Sequence, residues 1–330
     1  MDRRQLLRQV LVYSAALTVA PIDWDHLAAA MGRPAIAGTR LIDEMHRVTR
    51  EYMRLCQTIS PAALIPSAEQ HLVALNQVRA GAIGETSRQA EKATSQVAML
   101  AGWLYMEAGD RANARARLGL AEELASGAHA EALRAQVMTV SSYLDTGVST
   151  RRASRRALTA LDEAAAIAPG GAGLIRGYIH ARRAEERAAG GDASGALDDL
   201  DSAQGAIESG RVDPDALYAY RLDELWIDAY RASVHRLLGR PAEAATAAGR
   251  ALPSLHTRAR PAVLSDQAAA MAQGGELDAA CATLVQAVEV MRTSGYLTYW
   301  DRVRGIRAEL EPHAGAPAVR RLDEVLAATA

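Results

Sequence analysis

The sequence predicts an all-α protein built as a solenoid of helical hairpins, and three observations lead there. First, 71 of the 330 residues are alanine, the strongest helix former and a weak strand residue. Second, aromatics make up only 4% and phenylalanine is absent. One large globular core is hard to fill with such a set, whereas thin layers of closely packed helices suit it. Third, a glycine–alanine spacing recurs along the chain, the mark of an internal repeat. Near-complete replacement of lysine by arginine, with Lys92 the single lysine, reads as genomic base composition rather than chemistry.

The repeats set the order of the elements. Gly109, Gly191, Gly239 and Gly275 are each followed five, nine and twelve residues later by small or apolar residues. These are Ala114, Leu118 and Ala121 in the first copy, and Ala196, Leu200 and Ala203 in the second. The third has Ala244, Ala248 and Ala251, and the fourth Ala280, Leu284 and Ala287. A small residue, Gly102, Ala184, Ala232 or Ala268, precedes each glycine on the helix before it. A weaker copy, Ala157, Leu161 and Ala164, follows a longer, arginine-rich connection. Each glycine predicts a left-handed residue closing one helix before the next begins. Upstream, residues 40–56, 67–80 and 86–108 carry apolar helical stripes, with Pro61 and Pro66 at the join of the first two. Downstream, 300–310 and 317–327 read as a closing helix pair. The chain thus divides into N-terminal capping helices (1–85), repeats (86–295) and C-terminal capping helices (296–330), as an array with atypical ends requires.

These segments resemble tetratricopeptide repeats, in which a small residue at the eighth position and an alanine at the twentieth let two helices approach closely. Gly102 and Ala114 hold those places in the first copy, Ala232 and Ala244 in the third. The resemblance implies a right-handed superhelix whose first helices line a concave groove. Matched to that pattern, the groove residues are Gln96, Met99, Trp103 and Met106, then Tyr178, Ala181 and Glu185, then Trp226, Ala229 and Ser233. Met99 and Trp103 stand where some members carry a lysine–asparagine clamp for a peptide carboxylate, so that clamp is absent. Arg221 and Asp223 are the expected polar contacts beside Trp226, or else an internal salt bridge. Two readings of these positions stand side by side: an open surface for an amphipathic peptide or small hydrophobic ligand, or a core filled by the superhelix itself.

Charge and motif content exclude other classes. A net charge of −2 provides no field for a polyanion, and direct nucleic-acid binding is not expected. Arg151, Arg152, Arg155 and Arg156 form the densest basic cluster, without an interleaved aromatic, and read as solvated surface. Cys56 and Cys281 lie apart within apolar helical patterns, as buried thiols in a reducing cytoplasm do. No paired-histidine metal motif, phosphate-binding loop or dinucleotide glycine pattern occurs. The Gly170–Gly173 run lacks the lysine and strand of a phosphate loop and reads as a connection. Glu44, His46 and Glu51 share a helix, expected to be a solvated face. The expectation is a non-enzyme with no cofactor or metal.

At the N-terminus, Arg3-Arg4-Gln5-Leu6-Leu7 precedes an 11-residue apolar run, Val10 to Ala20. That run is far short of a membrane span, and its helical spacing fits an amphipathic helix as well as an export signal; cytoplasmic residence is the expectation. Together with Pro21-Ile22-Asp23-Trp24, the alanine-rich repeats and Leu238-Gly239-Arg240-Pro241-Ala242-Glu243-Ala244, this order resembles the C-terminal sensor region of actinobacterial helix-turn-helix regulators of the XRE type. No helix-turn-helix candidate appears in the first 80 residues. The resemblance implies ligand or protein sensing in transcriptional or signalling control. The expected partner is a peptide, a protein segment or a small hydrophobic ligand, with a homodimer also open. The competing expectations are a pure protein–protein scaffold and an enzyme whose site is not visible in sequence.

Overall fold

Alanine at the repeat positions becomes helix–helix contact. The computed structural model describes residues 39–146, 153–170, 173–209, 211, 224–255 and 258–328, and among them the chain is helical with no strand. The helices are α1 (Thr39–Leu55), α2 (Pro61–Gly81), α3 (Gly84–Glu107), α4 (Arg111–Gly127), α5 (Glu131–Thr146), α6 (Arg155–Ile167) and α7 (Gly173–Ala189). They continue as α8 (Ala193–Glu208), α9 (Glu224–Leu237), α10 (Pro241–Ala251), α11 (Arg260–Gln273), α12 (Leu277–Ser294), α13 (Trp300–Glu309) and α14 (Pro317–Ala327). A short 3-10 turn, Leu297–Tyr299, joins α12 to α13. The readings made for the export-like segment, for Arg151 and Arg152, and for Arg221 and Asp223 lie outside the described residues. No described helix is long and apolar enough to cross a membrane.

The hairpin turns share one geometry. Gly109, Gly191, Gly239 and Gly275 have φ of +82°, +81°, +67° and +83°, the left-handed region that costs an L-residue with a Cβ. After each, the next amide reaches back five residues. Asp110 N–H donates to Tyr105 O, Asp192 to Arg187, Arg240 to His235 and Glu276 to Met271, all at 2.9 Å. This satisfies the carbonyls a helix end leaves open. Asp110 and Asp192 also cap the following helices, accepting from Asn113 N and Gly195 N. His129 repeats the turn between α4 and α5 at φ +52° without being glycine, with Ala130 N–H donating to Ala125 O.

Behind the turns, the repeat alanines are sealed. Ala114, Ala121, Ala157, Ala164, Ala196, Ala203, Ala244, Ala248, Ala251, Ala280 and Ala287 are all fully buried. At the α3–α4 crossing even a methyl is too large: a Cβ on Gly102 would lie 2.7 Å from Leu118 Cγ. Each of α3, α5, α7, α9 and α11 packs on the next odd-numbered helix, ending with α13. The even-numbered helices of the hairpins pack beside them. The apolar interior falls into a large cluster from Leu41 to Val234, a second from Leu264 to Leu322, and a small alanine-rich one between them at Ala232, Ala247, Ala248, Ala251, Leu255 and Val263.

The chain also returns to its beginning. The Tyr296 hydroxyl bonds the carbonyl oxygens of Cys56 and Ile59, the latter at 2.8 Å. Thr298 Oγ1 donates to Glu107 O at 2.8 Å, and Arg258 pairs with the Glu107 carboxylate. The segment around Leu297–Tyr299 therefore closes against the turn after α1 and the end of α3.

Two local expectations change. Pro66 does not separate two segments: it lies inside α2, which starts at Pro61, where its ring forgoes the backbone bond to Ala62 O without ending the helix. Glu44 is not on a solvated face; it is 2% exposed, beside Arg40 and Arg47 at 3.5 and 3.8 Å.

Candidate functional site

The odd-numbered helices converge on one cleft. It encloses about 870 Å³ counted out to its open mouth, with walls from α3, α5, α7, α9, α11, the segment between α10 and α11, and Tyr299.

One wall is a connected run of aromatic rings. Trp103 on α3 meets Tyr143 on α5 edge to face, centroids 5.5 Å apart. The Tyr143 hydroxyl is 3.0 Å from that of Tyr230 on α9, and Tyr230 packs against Trp226 at 5.8 Å. Two guanidinium groups lie on this wall: Arg182 is 4.2 Å from the Tyr143 centroid and Arg258 4.6 Å from that of Trp103, distances at which a cation is held by the ring face. Burial lifts the Tyr143, Tyr178 and Tyr230 phenols well above the ordinary tyrosine range, so they are neutral hydrogen-bonding groups.

Every charge on the cleft wall meets an internal counter-charge. Arg182 pairs with Glu186 one turn ahead and with Glu185 at 3.5 Å, and donates to Thr146 Oγ1 at 2.8 Å. Burial opposes the Arg182 charge, while the Glu186 and Glu185 carboxylates favour it, and its pKa rises. Arg258 holds Glu107, whose carboxyl burial pushes up while Arg258 pulls it back. Asp266 lies 2.8 Å from Arg236 Nε and 3.4 Å from Arg302 Nη1. Apart from Gln57, the rest of the lining is small or apolar: Ala189, Ala229, Leu255, Ala259, Ala262 and Val263.

The expected groove residues separate under this geometry. Trp103, Glu185 and Trp226 line the cleft together, with Ala229. Gln96, Met99 and Ser233 are buried at 1%, 0% and 1% exposure and are not in its lining; Met106 and Tyr178 are buried and also outside it. Those five positions belong to the packing between helices, because neighbouring odd-numbered helices cover them. Tyr143, Arg182, Tyr230, Arg258, Asp266 and Tyr299 were missed. Tyr143 sits on α5, whose long connection to α6 breaks the repeat register, and Arg258 and Tyr299 arrive only because the chain closes.

Elsewhere the structure supplies structural roles. Among the described residues no group of histidines, cysteines and carboxylates is placed to hold a metal. Cys56 and Cys281 are buried thiols that form no disulfide. The first turn of α7, after the glycine run, is occupied by the chain itself, Leu174 N–H donating to Arg211 O. Ser154 caps α6 through Ala157 N, and Arg156 lies 3.5 Å from Asp145.

Comparison of the chain with protein-family models, with characterised proteins and with solved structures returned no match. The site must therefore speak through its own geometry.

Proposed function

We propose that this protein is a regulatory sensor of the tetratricopeptide type, a solenoid of helical hairpins that binds a small amphipathic molecule in its central cleft. The observation that carries this reading is the convergence of α3, α5, α7, α9 and α11 on one aromatic-walled cavity. A ligand touching consecutive hairpins biases their relative angles, and small adjustments add along an array whose units contact mainly their neighbours. The glycine-turned, alanine-packed hairpins support the repeat class, and the resemblance to sensor regions of XRE-type regulators supports transcriptional or signalling control as the setting. Closure of residues 296–298 against Cys56, Ile59 and Glu107 favours a compact ligand over a peptide laid along an open groove.

The test is thermal unfolding of the wild-type protein and of Trp226→Ala with the small-molecule fraction of its own host cells. The reading expects that fraction to raise the melting temperature of the wild type but not of the variant. Equal stabilisation of both proteins would overturn it. Stabilisation by the protein fraction alone would favour a scaffold that recognises a polypeptide.

A further inference from the structure

Resting on the reading of the cleft as a ligand site, we infer that its ligand is a flat molecule carrying no net charge. The argument comes from how the cleft treats its own ions. Arg182 and Arg258 could have served an anionic ligand, but each is already engaged by carboxylates of the chain, Glu185 and Glu186 for the first and Glu107 for the second. Asp266 could have served a cation, but Arg236 and Arg302 hold it. The ring faces that would cage a cationic ligand, Tyr143 and Trp103, carry these same guanidinium groups.

A charged ligand must therefore break an internal pair or sit uncompensated among buried side chains, where an isolated charge is strongly disfavoured. An uncharged one leaves every pair intact. The guanidinium planes already lie on rings, and Trp226 and Tyr299 complete a surface suited to stacking. Ala189, Ala229, Ala259 and Ala262 add only methyl groups, which leave room for a ring between the walls. Hydroxyl or carbonyl groups at the ligand's edge would find Thr146, Gln57 and Glu185 on the lining.

Three probes of one shape and different charge test this: 2-naphthalenemethanol, 2-naphthoate and 2-naphthylmethylammonium. Each is titrated calorimetrically into the full-length wild type and into Ala229→Leu, whose added bulk occupies the cleft. The inference expects naphthalenemethanol to bind one per chain, at least tenfold tighter than either ion, and to lose at least tenfold affinity in Ala229→Leu. Tighter or equal binding of naphthoate or of the ammonium probe, still lost in Ala229→Leu, overturns the uncharged class and leaves the cleft as the site. Binding insensitive to Ala229→Leu, or no binding of any probe, contradicts the cleft reading itself.

Discussion

The hydroxyl of Tyr296 donates a 2.8 Å hydrogen bond to the carbonyl oxygen of Ile59, joining residues 237 positions apart in sequence. It also bonds Cys56 O, so one phenol ties the segment after α12 to the turn after α1. Tyr296→Phe keeps the ring and deletes the one O–H proton that the two carbonyls share. The expected cost is about 1–2 kcal/mol, read as a lower urea midpoint with an unchanged slope.

The second tie, Glu107 with Arg258, is a buried ion pair whose guanidinium also covers Trp103. Breaking it by Arg258→Met leaves a buried carboxylate unpaired and should cost roughly 3–5 kcal/mol. Removing both charges in Glu107→Gln/Arg258→Met should recover part of that loss. A double variant as unstable as the sum of the two single ones would contradict direct coupling across the pair.

His71 makes stability depend on pH. Its Nε2 lies 3.1 Å from Met45 O and 3.0 Å from Thr49 Oγ1, while the Thr49 hydroxyl donates to the same carbonyl. Nε2 therefore carries a proton and donates it. Burial lowers its pKa to about 4, with the Met45 hydrogen bond working the other way. Below its unfolded pKa of about 6.5 the unfolded chain takes a proton that the folded one refuses. The contribution is complete above that pH, is lost as pH falls towards 4, and levels off below. The loss amounts to about 3 kcal/mol. Denaturant titrations between pH 7 and 4 should show this slope, reduced in His71→Gln.

The repeat crossings give a matched pair of substitutions. Gly102→Ala places a methyl 2.7 Å from Leu118 Cγ and should destabilise by about 1–3 kcal/mol. Gly119→Ala, on the same hairpin's exposed face with no atom within 4 Å, should stabilise by about 0.5–1 kcal/mol. At the α4–α5 turn, His129→Gly should also stabilise, by roughly 1 kcal/mol, since the φ of +52° suits glycine better. Melting temperatures of the three variants check all these signs together.

Much of the hairpin architecture was legible in the sequence because close helix approach needs specific residues at fixed spacing. Ala114, Ala196, Ala244 and Ala280 announce the crossings, and Gly109, Gly191, Gly239 and Gly275 the turns. The cleft was legible only where it shares that register, at Trp103, Glu185, Trp226 and Ala229. Its other half depends on curvature. Repeat spacing records how each hairpin meets the next but not where the array returns, so Arg258 meeting Glu107 across 151 positions leaves no local signal. Burial of Glu44 escaped for a related reason: an acidic residue on an amphipathic helix looks solvated until its covering helices are known.

The central claim is that the cleft holds a small ligand, and native mass spectrometry of the protein isolated from its own host tests it most directly. Wild type should carry an adduct of a few hundred daltons, and Ala229→Leu should not. An adduct retained equally by both proteins, or a bound polypeptide in its place, would contradict the account.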